Sequence, residues 1–180
     1  MTLELLDLYD EDRRPTGRTA ERFGPLPEGG LHTVVHVCIF DHQGRMLIQR
    51  RQLQKAAWPG RWDLSAGGCA LAGETSRQAA IRETREELGF DPALDGVRPA
   101  LTVNFSRGFD DLYLIEREVE LEKLRLQPEE VMDARWADRG EVLRMIDDGS
   151  FIPYRKSLIE LLFEMRGSMG MLPVPWPERT

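Results

Sequence analysis

Cysteine is scarce in this 180-residue chain. Cys38 and Cys69 stand alone, in no CxxC and at no zinc-ligand spacing, which excludes a disulfide framework or a zinc cluster as the organising device. Long apolar runs are also lacking. None approaches the ~20 residues of a membrane span, and the opening residues do not resemble a secretory signal. The expectation is a cytoplasmic protein with no membrane partner. Basic charge is in deficit, with 24 Lys and Arg against 31 Asp and Glu and a net charge of −7. Bulk nucleic-acid binding depends on neutralising phosphates, so no nucleic-acid partner is expected, although a local basic patch can still hold one small phosphorylated ligand. The acidic balance is equally explained as a solubility feature. Repeats and low-complexity blocks are absent, and the hydrophobic share of 41% at this length suits one domain with its own core.

Residues 3–9 alternate enough to form a short strand, whereas 10–19 and 24–30 read as loops. Strand signals strengthen over 32–40, where Val34, Val35, Val37 and Ile39 cluster and Cys38 falls among them as a core residue. A hairpin turn at Asp41-His42-Gln43-Gly44 leads to a second strand ending at Arg50-Arg51. Residues 63–66 form a short strand running into Gly67-Gly68. The spacing predicts a helix over 76–88, capped by Thr75 or Ser76 and stopped by Gly89. Strands are expected over 98–106, 112–121 and 131–136, then a helix from Asp138 through Ile146 and an amphipathic helix over 154–165. The proline-containing stretch 167–180 reads as an irregular tail. This order implies an α+β sandwich.

The chemistry-bearing pattern lies between Gly68 and Phe90. At about 100° per residue, Ala80, Ile81, Thr84 and Leu88 share one side of the helix, and Glu83, Glu86 and Glu87 fall in an arc on the other. Carboxylates at such spacing repel by a few tenths of a kcal/mol per exposed pair. A hard divalent cation would compensate them, since magnesium prefers oxygen ligands and commonly takes few carboxylates plus substrate phosphate oxygens. A plain solvated face, with Arg82 and Arg85 relieving the repulsion, produces the same pattern.

The order Gly68, Glu74, Arg82-Glu83, Glu86-Glu87, Gly89 resembles the Nudix box, Gly-x5-Glu-x7-Arg-Glu-U-x-Glu-Glu-x-Gly-U, at every fixed position. At ~6–7% usage per residue, seven chance matches come to ~10⁻⁸ per window, so the resemblance is specific. Thr84 departs from the aliphatic residue usual at its place, and Phe90 is bulkier than usual. The resemblance implies a Nudix-type α/β/α sandwich with a mixed central sheet and a loop–helix–loop catalytic motif. The domain would occupy 31–166, with 1–30 leading into it and 167–180 following. It implies that Glu83, Glu86 and Glu87, with the Gly68 carbonyl as a further ligand, hold Mg2+, for which Mn2+ can substitute. Glu74 and Arg82 would form a structural ion pair. The reaction implied is attack of water on a diphosphate-linked small molecule, with Glu86 or Glu83 as general base, or an acidic residue outside the box such as Glu129 or Glu130. A homodimer is one arrangement open to such a protein.

Over 31–137 the chain also resembles type I isopentenyl diphosphate isomerase, through Leu31-His32, Gly44, Arg50-Arg51, Lys55, Ala57-Trp58-Pro59-Gly60, Trp62 and Glu130-Val131-Met132-Asp133. Gly67 stands where that enzyme needs a cysteine. Cys69 stands where it has a metal-binding histidine, and a thiol is poorly suited to magnesium. His32 matches another of its ligand positions. With the partner positions altered, His32 reads here as a structural or substrate-contact residue. Arg50, Arg51 and Lys55 form a basic cluster able to contact phosphates or simply to end a strand in solvent. Trp58 and Trp62 frame a pocket or fill core, His36 faces solvent or pocket, and Asp110 and Asp111 are further candidate metal ligands. The reading is a magnesium-dependent hydrolase of a nucleoside diphosphate derivative or related compound. The alternatives are isomerase-like activity and a non-catalytic sensor of nucleotide derivatives.

Overall fold

The computed structural model describes residues 3–168 together with Gly170 and Leu172, so most of the tail expected over 167–180 lies outside the described residues. Its strands are β1 (Leu5–Tyr9), β2 (Pro15–Glu21), β3 (His32–Phe40), β4 (Met46–Arg51), β5 (Trp62–Asp63), β6 (Ala66–Cys69), β7 (Leu101–Phe105), β8 (Gly108–Glu116) and β9 (Val131–Ala137). Its helices are α1 (Ser76–Leu88), α2 (Arg139–Asp147) and α3 (Lys156–Met165). No helix among the described residues is long and apolar enough to cross a membrane.

Seven strands form a mixed sheet in which β3 pairs parallel with β8 along its whole length and antiparallel with β6. Alternation along the strands sends side chains to two cores. Val35, Val37 and Ile39 of β3 and Leu47 of β4 join Ala79, Ala80 and Leu88 of α1 on one face. Cys38, Phe40, Met46 and Ile48 join Val142 and Met145 of α2 and Ile159, Leu162 and Phe163 of α3 on the other. The result is an α/β/α sandwich.

α1 begins where Thr75 and Gln78 form a reciprocal capping box, and it ends where Gly89 takes the left-handed conformation at φ 80°. Thr84 is fully buried in it. Its hydroxyl donates to the Ala80 carbonyl at 2.8 Å, so the polar group is satisfied within the helix.

Three expectations are corrected. The stretch read as a loop over 10–19 contains the start of β2, which pairs with β1. Its side chains are almost all exposed, so no apolar alternation marks it. The strand expected over 112–121 starts earlier, at Gly108, and ends at Glu116, while Leu121–Lys123 is a 3-10 turn. Gly108 opens the strand because a Cβ there would lie 1.8 Å from the His32 carbonyl oxygen, and only glycine allows β8 to pair with β3 from its first residue. α3 starts at Lys156, which frees Tyr154 to point its hydroxyl elsewhere.

The sheet forks. β3 and β4 share one bridging pair, Phe40 with Met46, and then part. β6 continues along β3, and β5 continues along β4. The fork is where the principal cleft opens.

Candidate active site

The cleft has a volume of about 590 Å³, and its walls include Glu83, Glu86 and Glu87 of α1, Gly67 and Gly68 of β6, His36, Asp63, Asp110 and Tyr154. Glu87 spans the fork. Its Oε2 accepts from Gln49 Nε2 at 2.8 Å, on β4, and from the Gly67 backbone N–H at 3.0 Å, on β6. Burial, and then the charge of Glu83, push the Glu87 carboxyl up to about 8. Burial likewise raises Glu83, against the pull of Arg82. Neither carboxylate lies on the solvated face that helical spacing also allowed; both are almost fully buried, and only Glu86 is exposed.

Arg82 organises the loop before the helix. Its Nε and Nη2 donate to the two oxygens of Glu74 at 2.7 and 2.9 Å, a bidentate pair. Nη2 also reaches the Cys69 carbonyl at 3.0 Å, and Nη1 is shared between Glu83 at 2.8 Å and Glu86 at 3.0 Å. Glu74 in turn accepts from the Leu71 N–H at 2.9 Å. One guanidinium therefore ties residues 69–74 to α1.

Gly68 sits against the Glu83 carboxylate, and a Cβ there would come 2.2 Å from Glu83 Oε1. Gly68→Ala is expected to displace Glu83 and lower kcat by about 100-fold, because a carboxylate moved by an ångström loses its working geometry. Circular dichroism should show an unchanged fold. Activity within a factor of about two of wild type would mean that Glu83 does not need this position.

A polar chain also lines the cleft. Asp110 Oδ1 holds His36 Nδ1 at 2.8 Å, and the Tyr154 hydroxyl lies 3.3 Å from His36 Nε2. That hydroxyl donates to Asp63 Oδ1 at 2.8 Å, and Arg51 Nη1 donates to Asp63 Oδ2 at 3.1 Å. Burial disfavours the imidazolium, but the Asp110 charge and hydrogen bond outweigh it and raise His36 to about 9. Sequence reasoning missed Gln49, Asp63 and Tyr154. The only available signal was strand alternation, which places Gln49 and Arg51 on the same side of β4.

That alternation also separates the basic cluster. Arg51 lines the cleft, and Lys55 lines it too, paired with Glu130. Arg50 turns to the opposite face, where its Nε donates to the Gly60 carbonyl at 3.0 Å, outside the cleft. Glu130 lines the cleft and Glu129 does not. Asp110 faces the cleft, whereas Asp111 is buried away from it against Arg13 and Thr102, which removes it as a metal ligand. Trp58 lines the cleft with φ 54°, and Trp62 packs on the α2–α3 core. His32 lies in a neighbouring cavity.

The donor set suits a hard cation: carboxylate oxygens of Glu83, Glu86 and Glu87, two of them buried at a net cost in charge, beside a strand stripped of side chains at Gly67 and Gly68. Gln49 donates to Glu87 through Nε2, and its buried Oε1 has no partner among the described residues. The three carboxylates do not converge on one point among the described residues, because Arg82 stands between Glu83 and Glu86 while Glu87 points across the fork. Cys69 lines the cleft as well, and burial raises its thiol, so it offers no ready thiolate.

Residues 30–156 match the model of the NUDIX domain. An uncharacterized Nudix hydrolase of Listeria monocytogenes is 49% identical over 152 residues, 84% of this chain and 90% of that one. An isopentenyl-diphosphate Delta-isomerase of Salmonella arizonae is 33% identical over 153 residues, 81% of this chain and 83% of its own length. The crystal structure of a Deinococcus radiodurans protein superposes with a TM-score of 0.71 at 26% identity, covering 88% of this chain and 97% of the other. The chain belongs to the Nudix family, and is an enzyme that hydrolyses a pyrophosphate bond in a small-molecule substrate.

Proposed function

We propose that the chain is a magnesium-dependent hydrolase of a nucleoside diphosphate derivative or closely related compound. The observation that carries this reading is the pair of buried carboxylates, Glu83 and Glu87, lining one cleft together with Arg51 and Lys55. The family generally uses divalent metal ions. Held by Glu83, Glu86 and Glu87, with the Gly68 carbonyl beside them, Mg2+ (or Mn2+ in its place) would supply neutralisation of phosphate charge and a more acidic water.

The chain's own residues do the rest. Arg51 and Lys55, which line the same cleft, orient phosphate oxygens. Each is held by a carboxylate, Asp63 and Glu130, so each is positioned before substrate arrives. Glu86 is the general base. Arg82 Nη1 holds its Oε2, and among the described residues Oε1 makes no hydrogen bond, so that oxygen can take the proton of the attacking water. The water oxygen bonds to phosphorus, the bridging P–O bond breaks, and the departing phosphate leaves with the bond's electron pair. Glu74 and Arg82 position this machinery without touching substrate.

The test is product release from nucleoside diphosphates, triphosphates, sugar nucleotides, dinucleotides and isopentenyl diphosphate, with and without magnesium. Glu86→Gln is expected to lower kcat about 10²- to 10⁴-fold on the class that reacts, as loss of a general base does. Release without magnesium, or full activity in the variant, would overturn the assignment. The likeness to isomerases keeps isopentenyl diphosphate in the panel; its isomerisation without hydrolysis would replace this reading. Binding without turnover in wild type would make the chain a sensor.

A further inference from the structure

The fork between β3 and β4 is bridged twice. Glu87 spans it through Gln49 and Gly67. The second bridge is the row Asp110, His36, Tyr154, Asp63 and Arg51, all of which line the cleft. Strand register assembles it. Asp110 of β8 lies opposite Val34, and His36 follows Val34 by two residues, so Asp110 and His36 share a face. Asp63 of β5 lies opposite Gln49 of β4. Phe151 bridges to Trp62, and the Ile152 N–H donates to the Trp62 carbonyl at 2.9 Å, which carries Tyr154 to Asp63. Gly67, the partner of His36 across the β3–β6 pair, leaves room for the imidazole. A Cβ there would lie 2.6 Å from His36 Cδ2 and 2.8 Å from the Val35 carbonyl oxygen. This imidazole and the cysteine that an isomerase needs at position 67 therefore exclude one another.

Donor direction is fixed along the row. Asp63 accepts at both oxygens: Oδ1 takes the Leu64 N–H and the Tyr154 hydroxyl, each at 2.8 Å, and Oδ2 takes Arg51 Nη1 at 3.1 Å. Burial and the Asp63 charge keep the Tyr154 proton on its oxygen. With that proton given to Asp63, the Tyr154 oxygen accepts from His36 Nε2, while the Asp110 carboxylate accepts from Nδ1. Both ring nitrogens of His36 are thus occupied, and the ring keeps no donor for a substrate. Arg51 does keep one. Its Nε donates to the Ala57 carbonyl at 3.2 Å and its Nη1 to Asp63, whereas Nη2 makes no hydrogen bond among the described residues.

We propose that His36 and Tyr154 are positioning residues: through Asp63 they fix the Arg51 guanidinium so that its remaining nitrogen meets a phosphate oxygen of the substrate. The inference rests on the hydrolase reading of the cleft for the identity of that ligand. A guanidinium held in place beforehand loses less side-chain freedom on binding, so the row acts on affinity. Without the Tyr154 hydroxyl, Asp63 loses its tie across the fork, and Arg51 is held by a carboxylate that is itself less constrained. Without His36, the Tyr154 hydroxyl loses the donor that sets its direction.

The experiment measures kcat and KM with magnesium, on the substrate class that the product-release panel identifies, in wild type, Tyr154→Phe, Arg51→Gln and the double variant. Tyr154→Phe removes the hydroxyl and keeps the ring. It is expected to raise KM about 10-fold, as loss of one hydrogen bond to a charged group does, and to change kcat less than about threefold. In the Arg51→Gln background the same substitution should alter KM less than about twofold, because the group it positions is already gone. An equal rise in both backgrounds, or a fall in kcat with KM unchanged, overturns the inference. His36→Gln keeps an amide that can donate to Tyr154, so it should raise KM less than His36→Ala; equal effects remove His36 from the row. A row that serves stability alone would lower the melting temperature of Tyr154→Phe and leave KM as it was. Calorimetric titration with inorganic pyrophosphate and magnesium separates this inference from the hydrolase reading. If wild type cleaves nothing, the hydrolase reading fails. The positioning row then stands if Tyr154→Phe weakens pyrophosphate binding about 10-fold only where Arg51 is present, and it falls if binding weakens equally in both backgrounds or not at all.

Discussion

Replacing Glu87 with glutamine is expected to make the metal-free protein more stable and to remove most of its activity. The carboxylate is buried at the fork, and burial together with Glu83 raises its pKa from 4.5 to about 8 in the folded chain. A folded-state pKa raised above the unfolded value means that the group's stabilising contribution is present below about 4.5 and is lost as pH rises through about 8. The melting temperature of metal-free wild type should therefore fall across that window, whereas that of Glu87→Gln should fall less. The amide keeps an oxygen to accept from Gln49 and Gly67 and carries no charge, so above pH 8 the variant should melt higher, by about 2–4 °C for each kcal/mol relieved in a domain of this size. Added magnesium should stabilise wild type and do little for the variant, since a ligand that binds only the folded state stabilises it by mass action. Thermal melts from pH 4.5 to 9, with and without magnesium, provide the check. Identical pH slopes in the two proteins would show that Glu87 is not the group held at this cost.

Arg82→Ala should have the largest effect on folding. Its guanidinium serves both oxygens of Glu74, the Cys69 carbonyl, Glu83 and Glu86, and its side chain is only 21% exposed. Removing it leaves half-buried Glu74 and buried Glu83 without their cation, and leaving a buried carboxylate such as Glu83 unpaired costs up to about 3–5 kcal/mol. That corresponds to a melting temperature lower by roughly 6–20 °C. Arg82→Lys keeps the charge but has three donors on one nitrogen where Arg82 serves five acceptors from a planar fork, so it should recover less than half of the loss. A Lys variant as stable as wild type would mean that charge alone, and not the forked geometry, holds residues 69–74 in place.

Much of the fold was readable because the relevant signals are local. α1 runs over the residues that capping and periodicity predict, because Thr75, Gln78 and Gly89 act within one turn of its ends. The strands of the mixed sheet are legible wherever they alternate or are wholly apolar. β2 was missed because its register is set by β1, a partner across a turn, and its own side chains stay in solvent. The start of β8 was missed because it depends on the close approach of Gly108 to His32, residues far apart in the chain.

The order of Gly68, Glu74, Arg82, Glu83, Glu86, Glu87 and Gly89 by itself pointed to the family and the reaction type, since the match is read from residue types at fixed spacing within one short segment. Only the tertiary structure decided which carboxylates are buried, because burial depends on how α1 docks across the fork between β3 and β4. Only the tertiary structure decided which of Arg50 and Arg51 faces the cleft, placed Tyr154 against His36 and Asp63, and set Phe105 and His32 beside Arg22. Those groups come from strands and turns distant in sequence, and what each side chain can do there depends on neighbours that only the folded sheet brings within reach.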